Sequence, residues 1–171
     1  MVANVLFSAG LILLGFFWNH FINFDIFLPT IAYMLYRQHR QFARSAVWAA
    51  GLYGAMGSLL WFRSLMPTIQ STAWIVMGIL SANYVIARHS SSWLARLAAV
   101  VIYDNVASLP MYIMAYHTGG ILGVWLQILS GIPFTLRHLV SFVALFYGWQ
   151  IAITRWEKYN GKKFSPALSR K

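Results

Sequence analysis

Apolar positions run in long, nearly unbroken blocks, without the one-face spacing of a surface helix or the strict alternation of a half-buried strand. Residues 1–18 carry no charge, and residues 21–36 hold Asp25 near one end with Pro29 a turn further on. Blocks 45–62 and 66–87 are parted at Arg63, and a fifth block covers 97–115. The stretch 119–154 is too long for one straight span, since at about 1.5 Å per residue it would exceed about 50 Å. A break is expected at Ser130-Gly131-Ile132-Pro133, where Ser130 can cap a helix and Pro133 is tolerated in its first turn. That places the last span at 133–154 and leaves 119–129 at an interface or re-entering. A hydrocarbon core of about 30 Å takes about 20 apolar residues per helix, fewer where short helices thin the bilayer. The pattern therefore predicts an all-α polytopic transmembrane bundle of about six helices over 1–155, followed by a basic tail at 156–171.

Composition agrees with a membrane protein: 60% of the 171 residues are hydrophobic and 9% charged, against about 25% charged in an ordinary soluble domain. A net charge of +10 raises the question of nucleic acid, but the basic residues flank the apolar blocks, so they are read as loop charges. With both termini inside, the cytoplasmic segments hold Arg37, Arg40, Arg44, Arg88, Arg96, Arg155, Lys158, Lys162, Lys163, Arg170 and Lys171. Only Arg63 and Arg137 fall outside, and this asymmetry sets the orientation in a bacterial inner membrane. The tail, with Ser165-Pro166, is expected to lie along anionic headgroups or to stay solvated. A signal peptide over residues 1–20 is the alternative to a retained first helix, but the basic n-region and a small-x-small cleavage site are missing. The absence of cysteine excludes disulfides, a cysteine nucleophile and thiolate metal sites. No internal repeat is evident.

The third block carries small residues at four-residue spacing, Ala46, Ala50, Gly54 and Ser58, with Gly51 and Ala55 beside them. Such stacking lets another backbone approach closely, so this helix is expected to be central, within the bundle or against a partner. Trp61, Trp74, Trp93, Trp125, Trp149 and Trp156 fall near the predicted boundaries and read as headgroup anchors.

Catalytic motifs are missing: no HExxH, no Gly-rich phosphate loop, no GxSxG and no closely spaced carboxylates. No cofactor or metal site is therefore predicted. His20 with Asp25, and His117, could offer metal ligands but without a fixed spacing, and they read better as interface histidines. His138 enters near the outer boundary, where snorkelling to water is expected. Asp104 stands out because it lies eight residues beyond Arg96, inside the fifth span. A carboxyl there is costly unless it is paired or protonated. Arg137 lies 18 residues before Arg155, about 27 Å from the cytoplasmic end, and is expected to miss it. The same depth brings Ser8, Tyr53, Ser81, Asn83, Asn105, Tyr147 and Gln150, so a polar layer is expected whose hydroxyls and amides satisfy the carboxyl. The layer either fixes helix register or binds a ligand or proton.

A short first helix, a second span reading Phe24-Asp25-Ile26-Phe27-Leu28-Pro29-Thr30-Ile31-Ala32-Tyr33-Met34-Leu35-Tyr36 with a basic exit through Arg40, and the glycine-rich 51–58 helix resemble the MreD family. These are rod shape-determining membrane proteins, whose fold is similar to that of the S components of energy-coupling-factor transporters. The likeness covers roughly residues 5–155. Where that family often has an acid at the end of the glycine-rich helix, this chain has Ser58. The resemblance implies a non-enzymatic scaffold of the cell-wall elongation complex, working beside MreC and the wall polymerase and transpeptidase. The rival is a substrate-binding S-type importer component coupled to ATPase and transmembrane subunits, with Tyr53, Asn83, Asp104 and Tyr147 lining its pocket. A membrane enzyme acting on lipid phosphates would need the clustered acids that the chain lacks.

Overall fold

The computed structural model describes residues 2–21, 26–62, 65–89 and 91–160, with the side chains of 18–21, 58, 61–62, 65–68 and 160 outside the description. Every regular element among the described residues is an α-helix: α1 (Val2–Phe21), α2 (Phe27–Tyr36), α3 (Arg40–Phe62), α4 (Leu65–Arg88), α5 (Trp93–Ala107) and α6 (Leu109–Asn160). Two of them, α4 and α6, are long and apolar enough to cross a membrane.

The helix ends follow local chemistry. Pro29 sits in the first turn of α2, where its missing N–H would have had no intrahelical partner. Gln38, at φ 62°, turns the chain out of α2, while the N–H groups of Gln38 and His39 reach back to the carbonyls of Leu35 and Met34. The Ser92 hydroxyl caps α5 by accepting the N–H of Ala95 at 3.3 Å. Ser108 ends α5 because Pro110 cannot donate into the same helix.

α3 packs against α1, α2 and α4. α1 runs parallel to it, with Phe7 on Phe42, the Ser8 hydroxyl on the Ser45 carbonyl and Phe16 on Tyr53. α2 and α4 run antiparallel to it, with Phe27 against Tyr53, and Ile75 and Val76 against Gly54 and Gly51. Arg40 and Arg88 thus mark the same end of the bundle, and an Arg37–Glu157 ion pair brings the end of α6 there too. One core cluster joins α2 to α4, α5 and α6 through Tyr33, Ile86, Val100, Phe142 and Phe146, and a second joins α1, α2, α3 and α4 through Leu11, Ile31, Ala46, Ala50 and Ile79.

Three expected boundaries are corrected. The second block does not form a span of its own among the described residues: α2 has 10 residues, about 15 Å, and Phe27 through Met34 are all buried. The fifth block is divided at Ser108, so α5 stops at Ala107 and 109–119 belongs to the next element. The last block is not broken at 130–133. It reverses at Gly120, whose φ of 60° and ψ of −150° suit a residue without a Cβ. Gly123 then lies against the carbonyl of Ala115, closing a helical hairpin with arms 109–119 and 121–160. Pro133 is accommodated inside the second arm, and Ser130 donates to the carbonyl of Gln127 without capping a helix. A proline in an otherwise apolar run suggested a helix start, but a helix with exposed flanks tolerates the lost bond to the carbonyl of Leu129.

The expected domain boundary at 155/156 falls within α6, which continues to Asn160, and the remainder of the tail lies outside the described residues.

Candidate functional site: an acid–imidazole pair

Asp104 faces inward from the last turn of α5, with 5% of its side chain exposed, and His138 meets it from the second arm with 11% exposed. Nδ1 of His138 lies 2.7 Å from Oδ1 of Asp104. The ring of Phe134, one turn earlier on α6, covers the imidazole at 4.1 Å between centroids. The other carboxylate oxygen, Oδ2, is buried without a hydrogen-bond partner among the described residues. Beside the pair, the Tyr112 hydroxyl donates to Oδ1 of Asn105 at 3.1 Å, and the Asn105 amide donates to the Val101 carbonyl at 2.7 Å.

This corrects the expectation that Asp104 has no basic partner at its level and that His138 snorkels to water. The depth reckoning treated Arg96 and Arg155 as level with one another. They are not: Arg96 is buried, with its guanidinium over the rings of Tyr36 (4.6 Å), Phe146 (4.7 Å) and Trp93 (5.5 Å). It is therefore level with Phe146, nine residues and about 13 Å short of Arg155. With that offset removed, the turn of α6 at 137–138 reaches Asp104. Arg137, one residue earlier, points outward and is exposed.

Among the described residues, none of the other members of the expected polar layer hydrogen-bonds to Asp104. Ser8 donates to a backbone carbonyl of α3, and Tyr53 lies in an aromatic group with Phe16 and Phe27. Ser81 and Asn83 are half-buried on α4. Tyr147 is 50% exposed, packed on Trp93 and Phe146, and Gln150 is also exposed. Only Asn105, next in sequence, is near the carboxyl.

On α3, Ala46 and Ala50 are buried, Gly51 and Ala55 are half-buried, and Trp48 on the opposite side is 75% exposed. A Cβ on Gly54 would lie 3.1 Å from Cγ2 of Ile75, so the small residues admit α4. The side chain of Ser58 lies outside the description, as do those of His20, Asp25 and Trp61. An equally close approach that the spacing did not flag occurs at Gly78 of α4, where a Cβ would come within 3.0 Å of the Tyr103 carbonyl oxygen. A lone glycine among large residues carries no four-residue pattern to announce it.

Two of the expected tryptophan anchors have partners inside the bundle. Trp149 donates its indole N–H to the Thr30 hydroxyl at 2.9 Å, and Thr30 donates in turn to the Ile26 carbonyl at 2.6 Å, tying α6 to α2. Trp93 packs at tilted and edge-on angles against Phe142, Phe146 and Tyr147. Among the described residues, no three His, Asp or Glu side chains gather as metal ligands.

No protein-family model matches this chain, and neither a curated protein nor a solved structure is similar to it.

Proposed function

We propose that this chain is a multi-pass integral membrane protein that serves as a non-enzymatic, partner-binding scaffold. The observation that carries the reading is the hairpin: none of residues 105–140 is buried, yet Ile113, Ile121, Leu122, Leu126, Leu129 and Leu136 are among its outward-facing side chains. Monomers in water rarely expose contiguous apolar surface beyond a few hundred Å², whereas lipid covers such a surface without cost. The lengths of α3 and α4, 23 and 24 residues or about 35 Å, suit a bilayer, and the Arg37, Arg40 and Arg88 end suits the cytoplasmic face with its anionic headgroups.

A scaffold is favoured over a ligand carrier because Tyr53 packs with Phe16 and Phe27, Asp104 is engaged by His138 and Tyr147 is exposed, whereas a carrier needs convergent polar groups. The likeness of 24–40 and 51–58 to MreD directs the proposal to the cell-wall elongation complex of a bacterial inner membrane. Copurification from the native membrane in mild detergent tests it. Wall-synthesis proteins such as an MreC-like partner are expected, and recovery of ATPase and coupling subunits in their place would overturn the scaffold in favour of an importer component.

A further inference from the structure

Arg137 is exposed on the outward side of α6, although it also interacts within its own chain. Its level in the bundle follows from its neighbours. His138, the next residue, meets Asp104, and the carbonyl of Tyr103, the residue before Asp104, lies against Gly78 of α4. From Gly78, α4 runs 10 residues to Arg88 and 13 to Leu65, about 15 and 20 Å. Where α4 spans a hydrocarbon core of about 30 Å, Arg137 is near its middle, too deep for the side chain to snorkel to either face. Charged groups at such depth turn to the bundle interior or to one another, because hydrocarbon does not solvate them. Arg137 instead stays exposed, on the side of α6 away from Phe142 and Phe146, which are buried in the bundle.

The same face continues below it. At about 3.6 residues per turn, Ala144 and Ile151 fall in line with Arg137, with Gly148 beside them. All three are exposed, and a Cβ on Gly148 would meet nothing within 4 Å. Small side chains in open space let another helix come close.

The charge selects what lies there. A lipid phosphate stays at the headgroup level, about 15 Å away. A second copy of this chain brings three acids: Asp104 is 5% exposed and met by His138, Glu157 is ion-paired with Arg37, and Asp25 lies outside the described residues. A carboxylate carried by a transmembrane helix of another protein meets the guanidinium at its own depth, and the planar fork of arginine suits a two-pronged contact with it.

We propose that Arg137 anchors a partner protein's transmembrane helix through a membrane-embedded Asp or Glu, with that helix lying along Ala144 and Gly148. The site deepens the scaffold function proposed above and rests on it.

The full chain is reconstituted in phosphatidylcholine–phosphatidylglycerol vesicles with a synthetic transmembrane helix of leucine and alanine that carries one central Glu, or Gln in its place. A central position puts the carboxylate at mid-bilayer whichever way the peptide inserts. Energy transfer from a donor at Thr118→Cys, in a chain with no cysteine of its own, to an acceptor on the peptide reads association. The Glu peptide is expected to bind about tenfold more tightly than the Gln peptide. That preference should vanish in Arg137→Gln and persist in Arg137→Lys, while the Gln peptide binds all three chains alike, which separates lost charge from lost fold. Gly148→Leu should weaken binding of the Glu peptide by obstructing the close approach. Equal binding of the two peptides, a preference that survives Arg137→Gln or is lost in Arg137→Lys, or indifference to Gly148→Leu would overturn the proposal.

A spin label at Leu126→Cys in the same vesicles distinguishes failure of the site from failure of the membrane function. Relaxation there by oxygen, with no preference for the Glu peptide, removes the site alone, whereas relaxation by a water-soluble nickel chelate removes the membrane placement itself. With Leu126 in lipid, a water-exposed label at Val140→Cys would show headgroups drawn down to Arg137. Chain-to-chain energy transfer that is lost in Arg137→Gln would assign the face to a second copy. Either result overturns the proposal.

Discussion

α2 and the hairpin share a vocabulary of aliphatic and aromatic residues, yet they meet opposite surroundings. Eight of the 10 residues of α2 are buried, covered by α3, α4 and α6, whereas none of residues 105–140 is. A helix that is apolar all round must be covered by something, and in α2 that cover is protein. For the hairpin, the arms contact one another at Gly123 and Ala115, and over 105–140 their side chains are exposed or half-buried, where lipid is the proposed cover. Hydrophobicity alone does not distinguish the two cases. Neighbours do, because α2 is enclosed by α3, α4 and α6, whereas the hairpin over 105–140 is not enclosed by other described helices.

Substitutions sharpen this contrast, and the largest effect is expected in α2. Ile31 is fully buried, so Ile31→Ala should cost about 3 kcal/mol in detergent unfolding, whereas Leu126→Ala on the hairpin should stay within about 0.5 kcal/mol. Equal losses at the two sites would remove the distinction between protein-covered and lipid-covered helices. At the boundary between the two regions, Asp104→Leu strands the imidazole of His138 and should cost about 2 kcal/mol, while Asp104→Asn, which keeps an acceptor at the same place, should lose less. Thermal unfolding of both variants checks the order.

Smaller effects follow from the close helix approaches. Gly78→Ala should cost about 1.5 kcal/mol because the Tyr103 carbonyl cannot yield, whereas Gly131→Ala on the hairpin meets open space and should be neutral or slightly stabilising. Gly54→Leu should disrupt folding or partner capture more than Trp48→Leu, since Gly54 faces α4 and Trp48 faces outward. Last, Trp149→Phe removes the donor to Thr30 and should cost about 1 kcal/mol, read as a lower midpoint in the same unfolding assay.

The sequence discloses the helical class and the clustering of arginines at one end, because blocks of apolar residues and their flanking charges are local properties. The hairpin reversal is hidden for a physical reason. Gly119-Gly120 and Ser130 to Pro133 both read as punctuation, and what decides between them is the approach of Gly123 to Ala115, a contact between residues on different arms. Asp104 is conspicuous in the sequence as an acid in an apolar run, but its partner is not. Reckoning depth along α5 and α6 needs their relative offset, which is set by the burial of Arg96 among Tyr36, Trp93 and Phe146. An arginine beside a helix start looks like a boundary marker, and here its aromatic neighbours draw it inside. Gly78 was hidden likewise, since only the neighbouring backbone shows that space is short there.

The central claim, that the hairpin stands in lipid, is tested most directly by single cysteines carried along residues 121–137 of the otherwise cysteine-free chain in liposomes. Each carries a spin label whose relaxation is compared in oxygen, which concentrates in the bilayer, and in a water-soluble nickel chelate. The account predicts preferential relaxation by oxygen at the outward-facing positions Leu122, Leu126, Leu129 and Leu136. Preferential relaxation by the nickel chelate at these positions would put the hairpin in water and contradict it.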